Sequence, residues 1–265
     1  MDLSWIEISS PALAFNLSEI RRAAGPEAII SPCVKANAYG HGLEQTGRIL
    51  SCSGADWLSV NSLEEARKLR EGGISCPILV IGLIAKQDLP QVLDLGLRIF
   101  LYDKERAEIL SSLAHGQKIP VHLKIDTGMH RQGVLCEKAL DFVRFLQSLP
   151  GIEIEGLATH FATSDQPNQP QYYLEQLRKF KIMAEEIESF LGKKLITHCD
   201  KTASLFLNPE ERFSLVRPGL ATYGYFPNPE TRQACEGLGF FLKPALTFKT
   251  RVEFLKDIPE GCLVG

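Results

Sequence analysis

Seven side chains that could bind an anion or move a proton stand at or just beyond the ends of short apolar runs. They are Lys35, Lys124, Asp126, Arg131, His160, His198 and Arg217. Four of them are cations and two are imidazoles, whereas only Asp126 is a carboxylate. Metal ions are held by carboxylate, thiolate or imidazole ligands, while clustered Lys and Arg side chains favour phosphate and carboxylate groups. If these side chains meet, they suit a small anionic ligand such as a phosphate better than a metal ion.

Each of these residues also has an ordinary structural explanation. A lysine just past a strand is usually a solvated loop residue, and a single histidine is more often a hydrogen-bonded core residue than an active group. Residues 217–219 could form only the turn out of a strand, and Asp126 could simply accept backbone hydrogen bonds in its own turn. The functional interpretation therefore depends on whether the side chains converge.

The elements that would position them alternate regularly along the chain. Eight apolar runs of four to seven residues are separated by longer amphipathic stretches; the runs are 29–34, 57–60, 77–82, 97–102, 121–126, 154–160, 195–198 and 213–217. This alternation is typical of a parallel sheet covered by helices. Eight repeats predict an α/β fold, a closed (β/α)₈ TIM-type barrel, whose active site lies at the carboxyl ends of the strands. No Gly-x-Gly-x-x-Gly follows the first run, which disfavours a dinucleotide-binding fold.

Helix boundaries are marked by capping residues. Ser10-Pro11 predicts the start of the first helix, and Ser62-Leu63-Glu64-Glu65 has the pattern of a capping box. A long helix is predicted over 171–191, ending at Gly192.

The two ends of the chain fit the barrel less well. Residues 5–8 form a short strand-like piece, and apolar residues alternate with polar ones over 246–254. We therefore expect three parts: an N-terminal strand over 1–9 that packs with a C-terminal domain, the barrel over 10–239, and the beginning of a truncated β-rich domain over 240–265.

Composition narrows the classes of protein further. The 265 residues contain 29 Lys and Arg against 32 Asp and Glu, a net charge of −3, so a non-specific nucleic-acid binder is disfavoured. The apolar runs are too short for a membrane span, and the N-terminus lacks the pattern of a signal peptide. Seven scattered cysteines without Cys-x-x-Cys spacing indicate neither a disulfide framework nor a zinc cluster. We expect a cytoplasmic globular protein without a bound metal.

Four segments give the sequence a family resemblance. The run Val34-Lys35-Ala36-Asn37-Ala38-Tyr39-Gly40-His41-Gly42 closely resembles the pyridoxal-phosphate lysine motif of alanine racemases. Residues 123–131 (LKIDTGMHR), 159–162 (THFA) and 217–224 (RPGLATYG) match the same family in the same order. The resemblance extends over essentially the whole chain, and it implies an isomerase that interconverts L- and D-alanine with pyridoxal phosphate as cofactor.

The resemblance also implies roles for individual residues. Lys35 would bind the cofactor covalently and then act as a base on the α-proton of the substrate. The cofactor phosphate would be held by Tyr39, the hydroxyl of Thr202 and the backbone around Gly219 and Leu220. Together these residues would form the covalent and phosphate-binding parts of the site.

Four further residues complete the implied site. Arg217 would donate to the pyridine nitrogen, and because an arginine keeps its proton the ring would be a weaker electron sink. His160 would pack beside the ring and help to orient Arg217. Arg131 would reach the phenolic oxygen of the cofactor and the substrate carboxylate, and in many members the lysine that matches Lys124 is carbamylated and positions this arginine.

Two departures from the family pattern bear on activity. Where the family usually reads His-x-x-Asn-Ser, this chain has His198-Cys199-Asp200-Lys201-Thr202. Thr202 keeps the phosphate-binding hydroxyl, but Asp200 and Lys201 alter the charge beside it. The second catalytic base of the family is a tyrosine from the C-terminal domain of a partner subunit in a homodimer, and no residue of this chain matches it. We therefore expect the 265 residues alone to be impaired in producing D-alanine for cell-wall peptidoglycan.

Three other interpretations stay open. A one-domain barrel could carry pyridoxal phosphate without turnover. A barrel-type amino-acid decarboxylase is the second alternative, but such enzymes place an acidic residue against the pyridine nitrogen, where this chain has Arg217. The third is a barrel without enzymatic activity.

Overall fold

Eight parallel strands form the frame of the fold in this computed structural model, which describes residues 3–166, 168–199, 202–207, 211 and 213–264. The strands are β2 (Ile29–Ile30), β3 (Leu58–Val60), β4 (Ile78–Val80), β5 (Arg98–Leu101), β6 (Ile119–Asp126), β8 (Ile152–Ala158), β9 (Ile196–His198) and β10 (Leu215–Val216). Each predicted apolar run overlaps one of them, and β6 and β8 each begin two residues before their runs. The α/β barrel prediction is confirmed, although several strands are shorter than their runs.

Backbone pairing curls these strands into a barrel. A continuous sheet has the order β3-β4-β5-β6-β8-β9, and β10 pairs with β2. The segment after β2 joins β3, because the amide of Val34 donates to the carbonyl of Ser59 at 2.8 Å. On the other side, the hydroxyls of Thr197 and Ser214 lie 3.3 Å apart and link β9 to the start of β10. A short strand, β7 (Val134–Leu135), pairs with the end of β6.

Helical segments lie between the strands along the chain. They are α1 (Ser10–Ala24), α2 (Lys35–Tyr39), α3 (Leu43–Cys52), α4 (Leu63–Glu71), α5 (Pro90–Asp94), α6 (Lys104–Leu113), α7 (Cys136–Gln147), α8 (Gln171–Leu191), α9 (Thr202–Leu207) and α10 (Pro229–Gly237). Of these, α2 is a left-handed turn and not a regular α-helix. The predicted capping box at Ser62 is confirmed, and α8 ends at Gly192 as predicted. The first cap differs by one residue: the hydroxyl of Ser9, not that of Ser10, accepts from the amide of Ala12 at 3.2 Å.

Alternation along β6 decides which side chains enter the barrel. Val121, Leu123 and Ile125 belong to the large apolar core that includes the helices. Because successive side chains of a strand point to opposite faces, the intervening His122 and Lys124 point into the barrel interior. A smaller apolar cluster, which includes Trp57, Leu79 and Phe100, fills that interior. The side chains of His122 and Lys124 are therefore polar groups in a largely apolar interior.

The two ends of the described chain pair with each other. β1 (Ser4–Ile8) runs antiparallel to β11 (Leu246–Thr250), with Ser4 opposite Thr250 and Ile8 opposite Leu246. The division into a barrel and a further β-rich domain stays a prediction. Over the described ranges, no helix has both the length and the apolar character needed to cross a bilayer.

Candidate active site

A cavity of about 520 Å³ opens where the barrel strands end. All nine site residues predicted from the sequence line it: Lys35, Tyr39, Lys124, Arg131, His160, Thr202, Arg217, Gly219 and Leu220. These residues come from five separate segments of the chain, so the convergence on which the functional interpretation depends is present. Their individual roles stay predictions. Asp200 and Lys201, where the sequence departs from the family pattern, lie outside the described residues.

Lys35 begins an unusual turn. The four residues after it, Ala36 to Tyr39, all have φ between +52° and +54°, and none of them is glycine. Left-handed backbone costs an L-residue about 1–2 kcal/mol, so this turn stores roughly 4–8 kcal/mol. Contacts within the loop offset part of that cost: the side-chain oxygen of Asn37 accepts from the amide of Leu43 at 2.9 Å. Strain of this kind is common where a backbone must present functional side chains.

The turn brings Tyr39 against the loop after β10. A Cβ atom on Gly219 would lie only 2.8 Å from the Tyr39 hydroxyl oxygen, so the approach requires glycine. Partial burial raises the pKa of the Tyr39 phenol, which keeps it a hydrogen-bond donor at neutral pH. On the other side of the loop, the Thr202 hydroxyl oxygen accepts from the amide of Ala221 at 3.1 Å. Hydroxyls and backbone from three segments therefore surround one end of the cavity.

Among the residues that the structure describes, His198 and Thr159 both accept hydrogen bonds from Arg217. One terminal nitrogen of its guanidinium donates to the carbonyl of Thr159 at 2.9 Å, and the other donates to Nδ1 of His198. A guanidinium can only donate, so Nδ1 of His198 must be unprotonated and its proton sits on Nε2. His198 therefore helps to orient Arg217 through its Nδ1 atom. From the sequence, this function is expected of His160, which lines the cavity and whose role stays a prediction.

The hydrogen-bond chain continues through the barrel interior. Nε2 of His198 lies 2.6 Å from Nδ1 of His122, and Nε2 of His122 lies 3.0 Å from a carboxylate oxygen of Glu155. Each imidazole therefore donates in the same direction, from Arg217 towards Glu155. Gly156 makes room for this arrangement, since a Cβ there would lie 2.3 Å from Nδ1 of His122. We call Arg217, His198, His122 and Glu155 the interior relay.

Burial keeps both histidines of the interior relay neutral. Desolvation, followed by the charge of Arg217, holds the pKa of His198 well below its usual value. Desolvation also lowers the pKa of His122 and outweighs the stabilising contact with Glu155. Partial burial alone would raise the pKa of Glu155, but the hydrogen bonds from His122 and Arg98 lower it. The interior relay thus joins a cation at the site to a carboxylate near the surface through two neutral rings.

Lys124 is a fully buried lysine between cations. Desolvation and the charges of Arg217 and Arg131 hold the pKa of its amine well below the ordinary value for lysine. Its Nζ lies 5.1 Å from the centre of the Phe100 ring. A buried amine with a depressed pKa is nucleophilic at neutral pH.

The loop that carries Arg131 is organised by Asp126. One carboxylate oxygen of Asp126 accepts from the amides of Gly128 and His130, both at 3.0 Å, and the Tyr172 hydroxyl donates to the carbonyl of Gly128. Asp126 therefore acts as the turn interpretation predicts. It shapes the loop from which Arg131 reaches the cavity.

Two members of the interior relay, His122 and Glu155, were not predicted. The sequence analysis considered residues at strand ends, whereas His122 lies in the middle of β6 and Glu155 in the middle of β8. A usable signal was present: His122 is two residues before Lys124 and therefore shares its face of the strand. Glu155 gave no comparable signal.

Comparisons with known proteins agree with this geometry. The family profile described as alanine racemase, N-terminal domain, matches residues 8–227. The chain is 35% identical over 264 residues to an alanine racemase of Methanococcus maripaludis, covering 98% of this chain and 69% of that protein. It is 38% identical to one from Clostridium perfringens, again over 98% of this chain and 67% of the relative.

Solved structures give the same result. The structure of an alanine racemase from Clostridium difficile in complex with cycloserine superposes with a TM-score of 0.90 at 30% identity, over 97% of this chain and 70% of that one. An alanine racemase from Bacillus anthracis with bound L-Ala-P gives a TM-score of 0.85 at 30% identity, over 94% of this chain and 64% of that one. The chain thus spans about two thirds of the length of these relatives. By sequence and by fold, this protein belongs to the alanine racemase family of isomerases.

Proposed function

We propose that this chain is the catalytic barrel of a cytoplasmic, pyridoxal-phosphate-dependent alanine racemase that supplies D-alanine for peptidoglycan. One observation carries the proposal: Lys35, Arg131 and Arg217 converge with the Thr202 and Gly219 segments on one cavity. In this proposal residues 10–239 form the cofactor-binding barrel. Residues 1–9 and 240–265 belong to a β-rich domain, and the whole protein is a homodimer.

The residues of the cavity fit pyridoxal phosphate. Its volume of about 520 Å³ falls within the roughly 300–1,000 Å³ usual for sites of small ligands and cofactors. An amine suited to an aldehyde, Lys35, lies in the same cavity as the hydroxyls and backbone around Gly219 that suit a phosphate. The close approach of the Tyr39 hydroxyl to Gly219 leaves no space for a side chain there. The Tyr39 hydroxyl and the backbone around Gly219 would together hold the phosphate in place.

Lys35 would be the proton carrier on one face of the substrate. Pyridoxal phosphate, when bound, supplies an electron sink that acidifies the α-proton of an amino acid. The Lys35 amine would remove that proton and return it, and a single amine can serve only the face of the substrate that it approaches. A racemase also needs a donor on the opposite face.

Arg217 would set the character of the electron sink. Two of its donor nitrogens are fixed by Thr159 and His198, so the plane of the guanidinium is set before any ligand arrives. An arginine retains its proton and cannot transfer it to a pyridine nitrogen. A carboxylic acid at that position would stabilise a carbanion more strongly, as a decarboxylase needs. The arginine therefore favours proton return over other reactions.

Arg131 and Lys124 would act together on the carboxylate of the substrate. The neutral amine of Lys124 can attack carbon dioxide, forming an N–C bond and losing a proton, which leaves an anionic carbamate. That anion would accept from Arg131 and turn a repulsive pair into an attractive one. Arg131 would then be held in position to bind the carboxylate of alanine.

The family resemblance assigns the second proton donor to a tyrosine of a partner subunit. We propose that the 265 residues alone exchange the α-proton of one enantiomer much faster than they invert it, because losing a general acid or base costs about 10²–10⁴ in rate. Serving one face permits exchange with solvent but not inversion.

The test combines labelling with isotope exchange. The purified chain is loaded with pyridoxal phosphate, reduced with borohydride and mapped by peptide mass spectrometry; we expect the label on Lys35. L- and D-alanine are then incubated separately in heavy water, and α-deuteration and inversion are measured together, with Lys35→Ala as control. Label on another lysine, or exchange that survives in Lys35→Ala, would contradict the assignment.

A further inference from the structure

The Glu65 carboxylate bridges two loops that line the cavity. One of its oxygens accepts from the amide of Ala36 at 2.6 Å. The other accepts from the amides of Asn61 and Ser62 at 2.8 and 3.1 Å. Hydrogen bonds to a carboxylate are the stronger kind, and three of them converge on this side chain.

The hydrogen bond from Ala36 to Glu65 is made by the first residue of the turn with a positive φ. Ala36 follows Lys35 directly and is the first of the four residues with positive φ. Other hydrogen bonds, such as the one from the amide of Gly40 to the carbonyl of Asn37 at 3.0 Å, are internal to the loop. Glu65 instead ties the turn to a different part of the barrel, the start of α4.

The other end of the bridge is itself fixed. The carbonyl of Asn61 approaches Gly82 so closely that a Cβ on Gly82 would lie 2.0 Å from that oxygen. The loop between β3 and α4 is therefore held against the end of β4. Because the Glu65 carboxylate is bound to this loop, its hydrogen bond to the amide of Ala36 also fixes the position of Ala36.

We propose that Glu65 is a positioning residue that holds the left-handed turn, and with it the Lys35 amine and the Tyr39 hydroxyl, in the geometry that binds pyridoxal phosphate. This inference rests on the proposed function for its ligand, but the clamp itself is a property of the unliganded chain. Glu65 is not one of the described residues that line the cavity. It acts through the backbone of Ala36.

Ser62 provides a matched control because it caps the same helix without touching the turn. Its hydroxyl accepts from the amide of Glu65 at 3.3 Å. Ser62→Ala therefore weakens the start of α4 but leaves the Glu65 carboxylate in place. Glu65→Ala weakens α4 and also removes the bond to Ala36, while Glu65→Gln keeps one carbonyl oxygen for either loop. All three variants should lower the melting temperature.

Two measurements separate positioning from general stability. We expect Glu65→Ala to weaken binding of pyridoxal phosphate at least about tenfold, the loss of one bond to a charged acceptor, with Glu65→Gln between it and the wild type. Ser62→Ala should stay within about twofold of the wild type, far below the effect of a lost charged acceptor. Without cofactor, hydrogen exchange in peptides covering residues 35–42 should accelerate in Glu65→Ala and not in Ser62→Ala.

The outcomes distinguish this inference from the proposed function. If the wild type does not bind pyridoxal phosphate, the proposed function fails, and the exchange experiment still decides whether Glu65 holds the turn. If Glu65→Ala and Ser62→Ala accelerate exchange equally, Glu65 is only a helix cap and the inference is overturned. Unchanged exchange and unchanged affinity in Glu65→Ala would overturn it as well.

Discussion

Replacing His122 by phenylalanine tests whether the interior relay is a connected structure. His122 is fully buried, accepts from His198 and donates to Glu155. Phenylalanine has a similar shape but no nitrogen, so Nε2–H of His198 would be left buried without its acceptor. A buried donor left unsatisfied costs about 1–3 kcal/mol, and the loss at the half-buried Glu155 adds about 0.5–1 kcal/mol. The added apolar ring returns roughly 1 kcal/mol, so we expect a net loss of about 2 kcal/mol.

The assay is urea unfolding at neutral pH with His122→Phe, Glu155→Gln and the double variant. If the groups form one network, the two changes will not add, and their coupling energy will be at least about 0.5 kcal/mol. His115→Asn, which removes an imidazole from an exposed loop, should change the free energy of unfolding by less than about 0.5 kcal/mol. A His122→Phe protein as stable as the wild type, or strictly additive effects, would refute the relay.

Three further predictions follow from the same geometry. The pKa values of His122 and His198 are lower in the folded than in the unfolded chain, so the folded state binds fewer protons. The free energy of unfolding is therefore highest above the unfolded pKa of about 6.5, and it falls by roughly 2–3 kcal/mol between pH 7.5 and 5.5. Urea titrations at these pH values should show a smaller fall in His122→Phe. Gly219→Ala places a methyl group against the Tyr39 hydroxyl. It should weaken pyridoxal-phosphate binding about fivefold or more in an absorbance titration, since a forced contact costs about 1–3 kcal/mol. Unchanged affinity would show that Gly219 and the Tyr39 hydroxyl do not shape the phosphate site. Ala36→Gly relieves left-handed strain and should raise the free energy of unfolding by up to about 1 kcal/mol. As a control, Ala234→Gly in α10 should lower it by a similar amount. If chemical denaturation shows a lower free energy of unfolding for both variants, the turn is unstrained.

Local chemistry explains which features could be predicted from the sequence. The eight apolar runs, the capping box at Ser62 and the end of α8 at Gly192 each depend on residues that are neighbours in sequence. The site residues could be predicted because barrel strands bring their carboxyl ends together. The first cap was predicted one residue too late, at Ser10, whereas the structure uses Ser9.

Features that depend on tertiary contact could not be predicted. Ala36-Asn37-Ala38-Tyr39 contains no glycine, and alanine favours a right-handed helix, so no propensity indicates the left-handed turn. The relay depends on an irregular register between β6 and β8 at Val121 and His122, and a register shift leaves no mark in either strand alone. Glu65 was identified as a capping residue, but its bond to Ala36 joins positions 29 residues apart.

The pairing of β1 with β11 has a consequence for how the chain is made. Ser4 and Thr250, whose hydroxyls lie 3.0 Å apart, are separated by 246 residues. A ribosome adds about 5–20 residues per second, so β1 is synthesised roughly 12–50 s before its partner strand. During that interval Ile6 and the backbone edge of β1 are available to any other strand in the cell. β1 therefore stays unpaired until its partner strand has been made, and its exposure to chaperones or to misassembly is built into the order of translation.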